Sequence, residues 1–174
     1  MATTKLAKAG AKGALPANTG LTESQRQQMV DILNKRLSDE MVLYTKTRNY
    51  HWNVTGMEFI QLHELFEKQY DELAESIDEI AEYIRQVGGF AFGTLDEFKQ
   101  NSSIEEQPGH IPNAEDMIRN LLHDHELCIQ QLRKDADTAE EVGDMLTNDF
   151  LIGKAHGHEK MAWFLRAHIE HATR

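Results

Sequence analysis

Proline occurs only at Pro16, Pro108 and Pro112, so residues 17 to 107 and 113 to 174 run without the residue that most reliably breaks a helix. This alone favours an all-α fold, and the apolar spacing agrees with it. Thr22-Glu23-Ser24 offers N-cap chemistry, after which Val30, Leu33, Leu37 and Met41 recur at helical intervals toward Tyr50, predicting a long helix A. Asn53 to Gly56 reads as a turn. Phe59, Leu62, Phe66, Tyr70, Leu73, Ile77, Ile80, Ile84 and Val87 then step by threes and fours as far as Gly88-Gly89, which makes helix B the clearest element in the chain. Residues 93–112 gather Gly, Pro, Asn and Ser around a short helical pattern at Leu95 to Gln100. A connection that long suits a crossover between distant ends of a bundle. Asn113 is placed to cap helix C, which carries Met117, Leu121, Leu122, Ile129 and Leu132 to about Thr138. Helix D is expected from about Val142 to His168, through Met145, Phe150, Leu151, Met161, Phe164 and Leu165.

Four long helices, with a short extra one between B and C, predict a ferritin-like four-helix bundle over residues 21–174. Residues 1–20 are rich in Ala, Gly, Thr and Lys with few large apolar side chains, so they are expected to form a flexible tail. The lone Cys128 excludes an intrachain disulfide and a cysteine-based zinc site, leaving metal chemistry to His, Asp and Glu. A formal net charge of −11 argues against nucleic-acid binding by the folded body and makes cations the natural guests. No apolar run is long enough to cross a bilayer, and the first residues lack the apolar block of a secretory signal, so the expected location is the cytoplasm with no membrane partner.

On helix B, His63 and Glu67 are four residues apart, as are Asp78 and Glu82, so each pair projects from one face as metal ligands could. Such pairs also occur on solvated faces. More informative is the spacing of eleven between Glu67 and Asp78, three turns that place both pairs on nearly the same side of the helix. They are nevertheless about 16 Å apart along the axis, too far for one metal to bind both. Two antiparallel copies of helix B remove the difficulty: a twofold axis near residues 72 and 73 sets His63 against Glu82 and Glu67 against Asp78. An intrasubunit site of the Glu-x-x-His kind is disfavoured, because none of the nine histidines has Glu three residues before it. His51, with Trp52 beside it at the end of helix A, adds a nitrogen near the start of helix B, although a solvated helix-ending histidine reads the same way.

His51-Trp52-Asn53-Val54-x-Gly56, Phe59-x-x-Leu62-His63-Glu64-x-Phe66-Glu67-x-x-Tyr70 and Asp78-x-x-Ala81-Glu82 together resemble the Dps family, the DNA-binding proteins from starved cells. The resemblance runs from about residue 20 through nearly the whole chain. It implies a hollow dodecamer built on twofold dimers, with His51, His63 and Glu67 of one chain facing Asp78 and Glu82 of another in ferroxidase sites. Each site would take two iron ions, with zinc or manganese as substitutes, and hydrogen peroxide in preference to oxygen as oxidant. The ferric product would be stored in the cavity. Glu67 stands where many relatives have Asp, and Tyr83 where many have Arg. Trp52 reads as an electron donor or a packed aromatic. The segment Gly143 to Asp149 resembles the family's pore lining, with Asp144 and Asp149 attracting Fe(II), although an acidic helix start explains it equally. His123-x-His125 and His156-x-His158 read as mixtures of surface and packing histidines, and Cys128 as a core residue. Lys5, Lys8 and Lys12 are the candidate DNA contacts, through many tails on one shell, and a DNA-compacting protein with secondary metal sites is the alternative function.

Overall fold

A computed structural model of the chain describes residues 17–170, which form five helices and no strand. Helix α1 spans Glu23–Asn53, α2 Phe59–Gln86, α3 Leu95–Asn101, α4 Ala114–Glu141 and α5 Met145–Glu170. The chain is therefore all-α, a four-helix bundle with one short helix in its long connection, as predicted.

Local chemistry explains the boundaries. Thr22 opens α1 with a capping box, its hydroxyl accepting from the Gln25 N–H while the Gln25 side chain reaches back to the Thr22 N–H at 2.9 Å. Thr94 and Glu97 repeat the device at α3, and Asn113 caps α4 through Asp116. Helix C runs to Glu141, slightly beyond the expected Thr138, and helix D begins at Met145, not Val142. The reason lies in Gly143, whose φ of +80° is left-handed and ends α4. Asp144 then caps α5: its carboxylate accepts from the Thr147 N–H at 3.1 Å and the Thr147 hydroxyl at 2.5 Å.

Helix α1 packs along α2, and α4 along α5, with α1 also meeting α3 and α4. Between them lies one core containing Met29, Leu33, Leu37, Leu43, Leu62, Phe66, Leu73, Ile80, Ile84, Met117, Leu121, Leu132 and Leu165, all nearly inaccessible. Gly89 lets the end of α2 close on α1, since a Cβ there would collide with Val30. The crossover is held from beneath: Asp39 of α1 accepts from the Ser103 N–H at 2.5 Å and the Ser102 hydroxyl at 3.0 Å. Lys5, Lys8 and Lys12 lie outside the described residues, while at the far end of the expected tail the Ala17 carbonyl accepts from Arg26 at 2.8 Å.

Candidate metal centre

The turn after α1 brings two histidines face to face. Val54 leaves the helix in extended geometry while its N–H still binds the Tyr50 carbonyl, and residues 54–58 return the chain into α2. His51 and His63 consequently stack, ring centroids 3.7 Å apart and planes 20° from parallel. Each ring holds the other helix: His51 Nδ1 lies 2.8 Å from the His63 carbonyl oxygen, and His63 Nδ1 lies 2.9 Å from that of His51. A carbonyl oxygen only accepts, so both Nδ1 atoms carry protons. In the neutral rings the lone pairs then reside on the two Nε2 atoms, the tautomer a metal ligand needs, with the second nitrogen fixed by a backbone carbonyl.

Glu67 is one turn along α2 from His63 and exposed; its Oε1 accepts from the Tyr70 hydroxyl at 3.3 Å. The Tyr70 ring stands edge-on to His51, with centroids 5.2 Å apart. Arg48 of α1 lies over the rings of Tyr70, Trp52 and Tyr44 and donates to the Tyr44 hydroxyl at 2.6 Å. Trp52 is 64% exposed in the single chain, with the Arg48 guanidinium 5.3 Å from the centre of its ring.

Asp78 and Glu82 are exposed on α2, more than four turns beyond His63. The straight helix keeps the two pairs apart, as the spacing requires. Among the described residues, no three His, Cys, Asp or Glu side chains of one chain converge as a metal would need. Tyr83, next to Glu82, turns inward, stacking on Phe150 at 4.2 Å with its hydroxyl 3.2 Å from that of Thr147.

The remaining candidates separate by burial. Asp149 is exposed, whereas Asp144 is buried and both its oxygens are engaged by Thr147, so the structure gives Asp144 the capping role. His123 and His156 are exposed, while His125 and His158 are buried in the core. Sequence reasoning did not find what these two join: His125 Nδ1 meets His158 Nδ1 at 2.9 Å, and His158 Nε2 meets Glu40 Oε1 at 2.8 Å. Ser76 donates to the same Glu40 oxygen at 3.2 Å, so each of the four long helices contributes one polar group to the chain. Glu40 carries a legible signal, for it falls three residues after Leu37 and three before Leu43, on the apolar stripe of α1. Burial, reinforced by the charge of His158, pushes the His125 imidazole well below the usual histidine range. Burial likewise raises the Cys128 thiol well above its ordinary range, a core cysteine as expected.

A four-helix bundle with a crossover between its second and third long helices defines the ferritin-like class. The ferritin-like domain family matches residues 30–174. A low temperature-induced protein of Nostoc is 44% identical over 154 residues, covering 88% of this chain and 86% of its own. A DNA protection during starvation protein of Bacillus anthracis is 41% identical over 143 residues, covering 82% and 97%. Among solved structures, the Dps protein of Vibrio cholerae O1, a member of a superfamily of ferritin-like diiron-carboxylate proteins, superposes with a TM-score of 0.83. Its identity is 30%, and the match covers 91% of this chain and 99% of that one. The chain belongs to the Dps family.

Proposed function

We propose that two copies of the chain pair across the middle of α2 and complete two iron-oxidising sites, each taking His51, His63 and Glu67 from one copy and Asp78 and Glu82 from the other. The observation that carries this reading is the reciprocal pinning of His51 and His63, which commits both Nδ1 atoms to backbone carbonyls and leaves the lone pairs on the Nε2 atoms of two stacked rings. That arrangement is one half of a ligand set, and the antiparallel register of α2 supplies carboxylates as the other half.

Fe(II) is the substrate. Carboxylates favour the higher charge of Fe(III) and so promote loss of an electron, while a small number of nitrogen donors keeps the ion labile enough to move on. With two Fe(II) at one site, hydrogen peroxide takes one electron from each. Its O–O bond breaks to hydroxide without release of hydroxyl radical, and the ferric product passes to the interior of a dodecameric shell for storage. Oxygen is the slower oxidant, and zinc or manganese would occupy the same donors. Asp149 is the residue that draws Fe(II) toward the shell. Removing iron and peroxide protects DNA in the cytoplasm, and Lys5, Lys8 and Lys12 are its points of contact with DNA. None of the described helices is long and apolar enough to cross a membrane.

Complementation tests the arrangement. His63→Ala and Asp78→Ala shells should each lose peroxide-driven Fe(II) oxidation. When the two variants are co-assembled, each mixed pair regains one intact site of its two, so random pairing restores roughly a quarter of the normal rate. A co-assembled shell as inactive as its parents, with mixing verified by mass, would refute sites shared between chains.

A further inference from the structure

Among the described residues, Glu67 is the one proposed ligand on the histidine side with neither a packed environment nor an ion-pair partner to orient it. An exposed glutamate samples many rotamers, and ordering it on metal binding costs entropy. What holds Glu67 is the hydroxyl of Tyr70, three residues on along α2, donating to Oε1 at 3.3 Å. The Tyr70 ring is itself clamped on three sides. His51 meets it edge-on at 5.2 Å, Tyr44 edge-on at 6.2 Å, and the Arg48 guanidinium lies 4.9 Å from its centroid. Arg48 is fixed in turn by its hydrogen bond to the Tyr44 hydroxyl at 2.6 Å and by its place over Trp52 at 5.3 Å. Three α1 side chains thus set the position of one α2 phenol, and that phenol touches a ligand histidine with its ring and a ligand carboxylate with its oxygen.

We infer that Tyr70 is a positioning residue of the metal site, orienting Glu67 through its hydroxyl against a ring anchored on α1 by Arg48, Tyr44 and His51. This inference rests on the site proposed above. Tyr70 itself need not touch the metal. It restricts the carboxylate to the face of α2 that also carries His63, so the site is partly assembled before an ion arrives.

The test uses assembled shells titrated with Co(II), whose visible spectrum reports coordination, alongside peroxide-driven oxidation of Fe(II). Tyr70→Phe keeps the ring and its packing and removes only the oxygen. It should weaken Co(II) binding by about three- to tenfold, as expected for losing one long, solvent-exposed hydrogen bond. It should also raise KM for Fe(II) more than it lowers kcat. On a Glu67→Ala background, Tyr70→Phe should change neither quantity further. Co(II) affinity and KM equal to wild type in Tyr70→Phe overturn the inference, as does an equal loss on the Glu67→Ala background. Should Glu67→Ala leave too little binding for comparison, the split between KM and kcat in Tyr70→Phe alone decides. His63→Ala separates the two levels: if Co(II) binding survives it unchanged, the site falls and the inference with it. If His63→Ala abolishes binding while Tyr70→Phe matches wild type, only the role of Tyr70 falls.

Discussion

Replacing His125 with glutamine should flatten the acid dependence of stability while leaving the shape of the core nearly intact. His125 is wholly buried, its Nδ1 2.9 Å from that of His158, and burial together with the His158 charge holds its imidazole well below the usual range. In the unfolded chain the same ring protonates near pH 6.5. A histidine whose folded pKa is depressed stays neutral in the native state while the unfolded state takes up a proton. Stability is therefore full above about pH 6.5 and falls as the pH drops toward the folded value. The loss is roughly 1 kcal/mol between pH 6.5 and 5.5, and about 1.4 kcal/mol per pH unit below that until the folded ring titrates. Asp39, Asp124 and Asp135 have carboxyls raised by burial and act in the opposite sense, gaining stability as the pH falls through the carboxylate range. They are common to both proteins and cancel in the difference. The glutamine side chain in His125→Gln has an amide that can partner His158 Nδ1 through its NH2 or its oxygen but does not titrate, so its cost at pH 7.5 should be a constant packing term. Urea unfolding at pH 7.5, 6.5, 5.5 and 5.0, at one protein concentration because assembly adds a mass-action term, reads the difference. Parallel pH profiles for wild type and His125→Gln would refute the argument that this histidine is buried neutral.

Asp144→Ala removes the α5 cap and leaves the Thr147 N–H unpartnered in a buried setting, its hydroxyl keeping only Tyr83, so it should destabilise the chain by about 1–2 kcal/mol in the same urea assay. Asp144→Asn should restore most of that loss, since an amide oxygen also caps. Asp149→Asn should slow Fe(II) oxidation most at low ionic strength, and a rate insensitive to both the substitution and salt would remove the charge-steering role. Deleting residues 1–20 should abolish DNA retention in a pull-down at low salt while sparing Fe(II) oxidation; equal retention by both forms would remove Lys5, Lys8 and Lys12 from consideration.

Local chemistry and periodicity sufficed for the helices because their signals are short-range. The Thr22 capping box, the threes-and-fours of α2 and the Asn113 cap act within a few residues of themselves. The shift of the α5 start to Met145 is legible in the same terms, once Gly143 is read as a left-handed stop and Asp144 as a cap. The spacing of His63, Glu67, Asp78 and Glu82 along one helix is likewise a property of the sequence, and so is the conclusion that one straight helix cannot bring them to a single ion.

Only tertiary structure decided the rest. That His51 and His63 each bind the other's carbonyl, fixing which nitrogen bears the proton, depends on a turn geometry no spacing specifies. The clamp on Tyr70 needs α1 beside α2, and the Glu40–His158–His125 chain needs three helices to meet. Contacts along a helix follow from a fixed rise and rotation per residue. Contacts between helices follow from which faces the whole core buries, and that choice belongs to the folded chain as a unit.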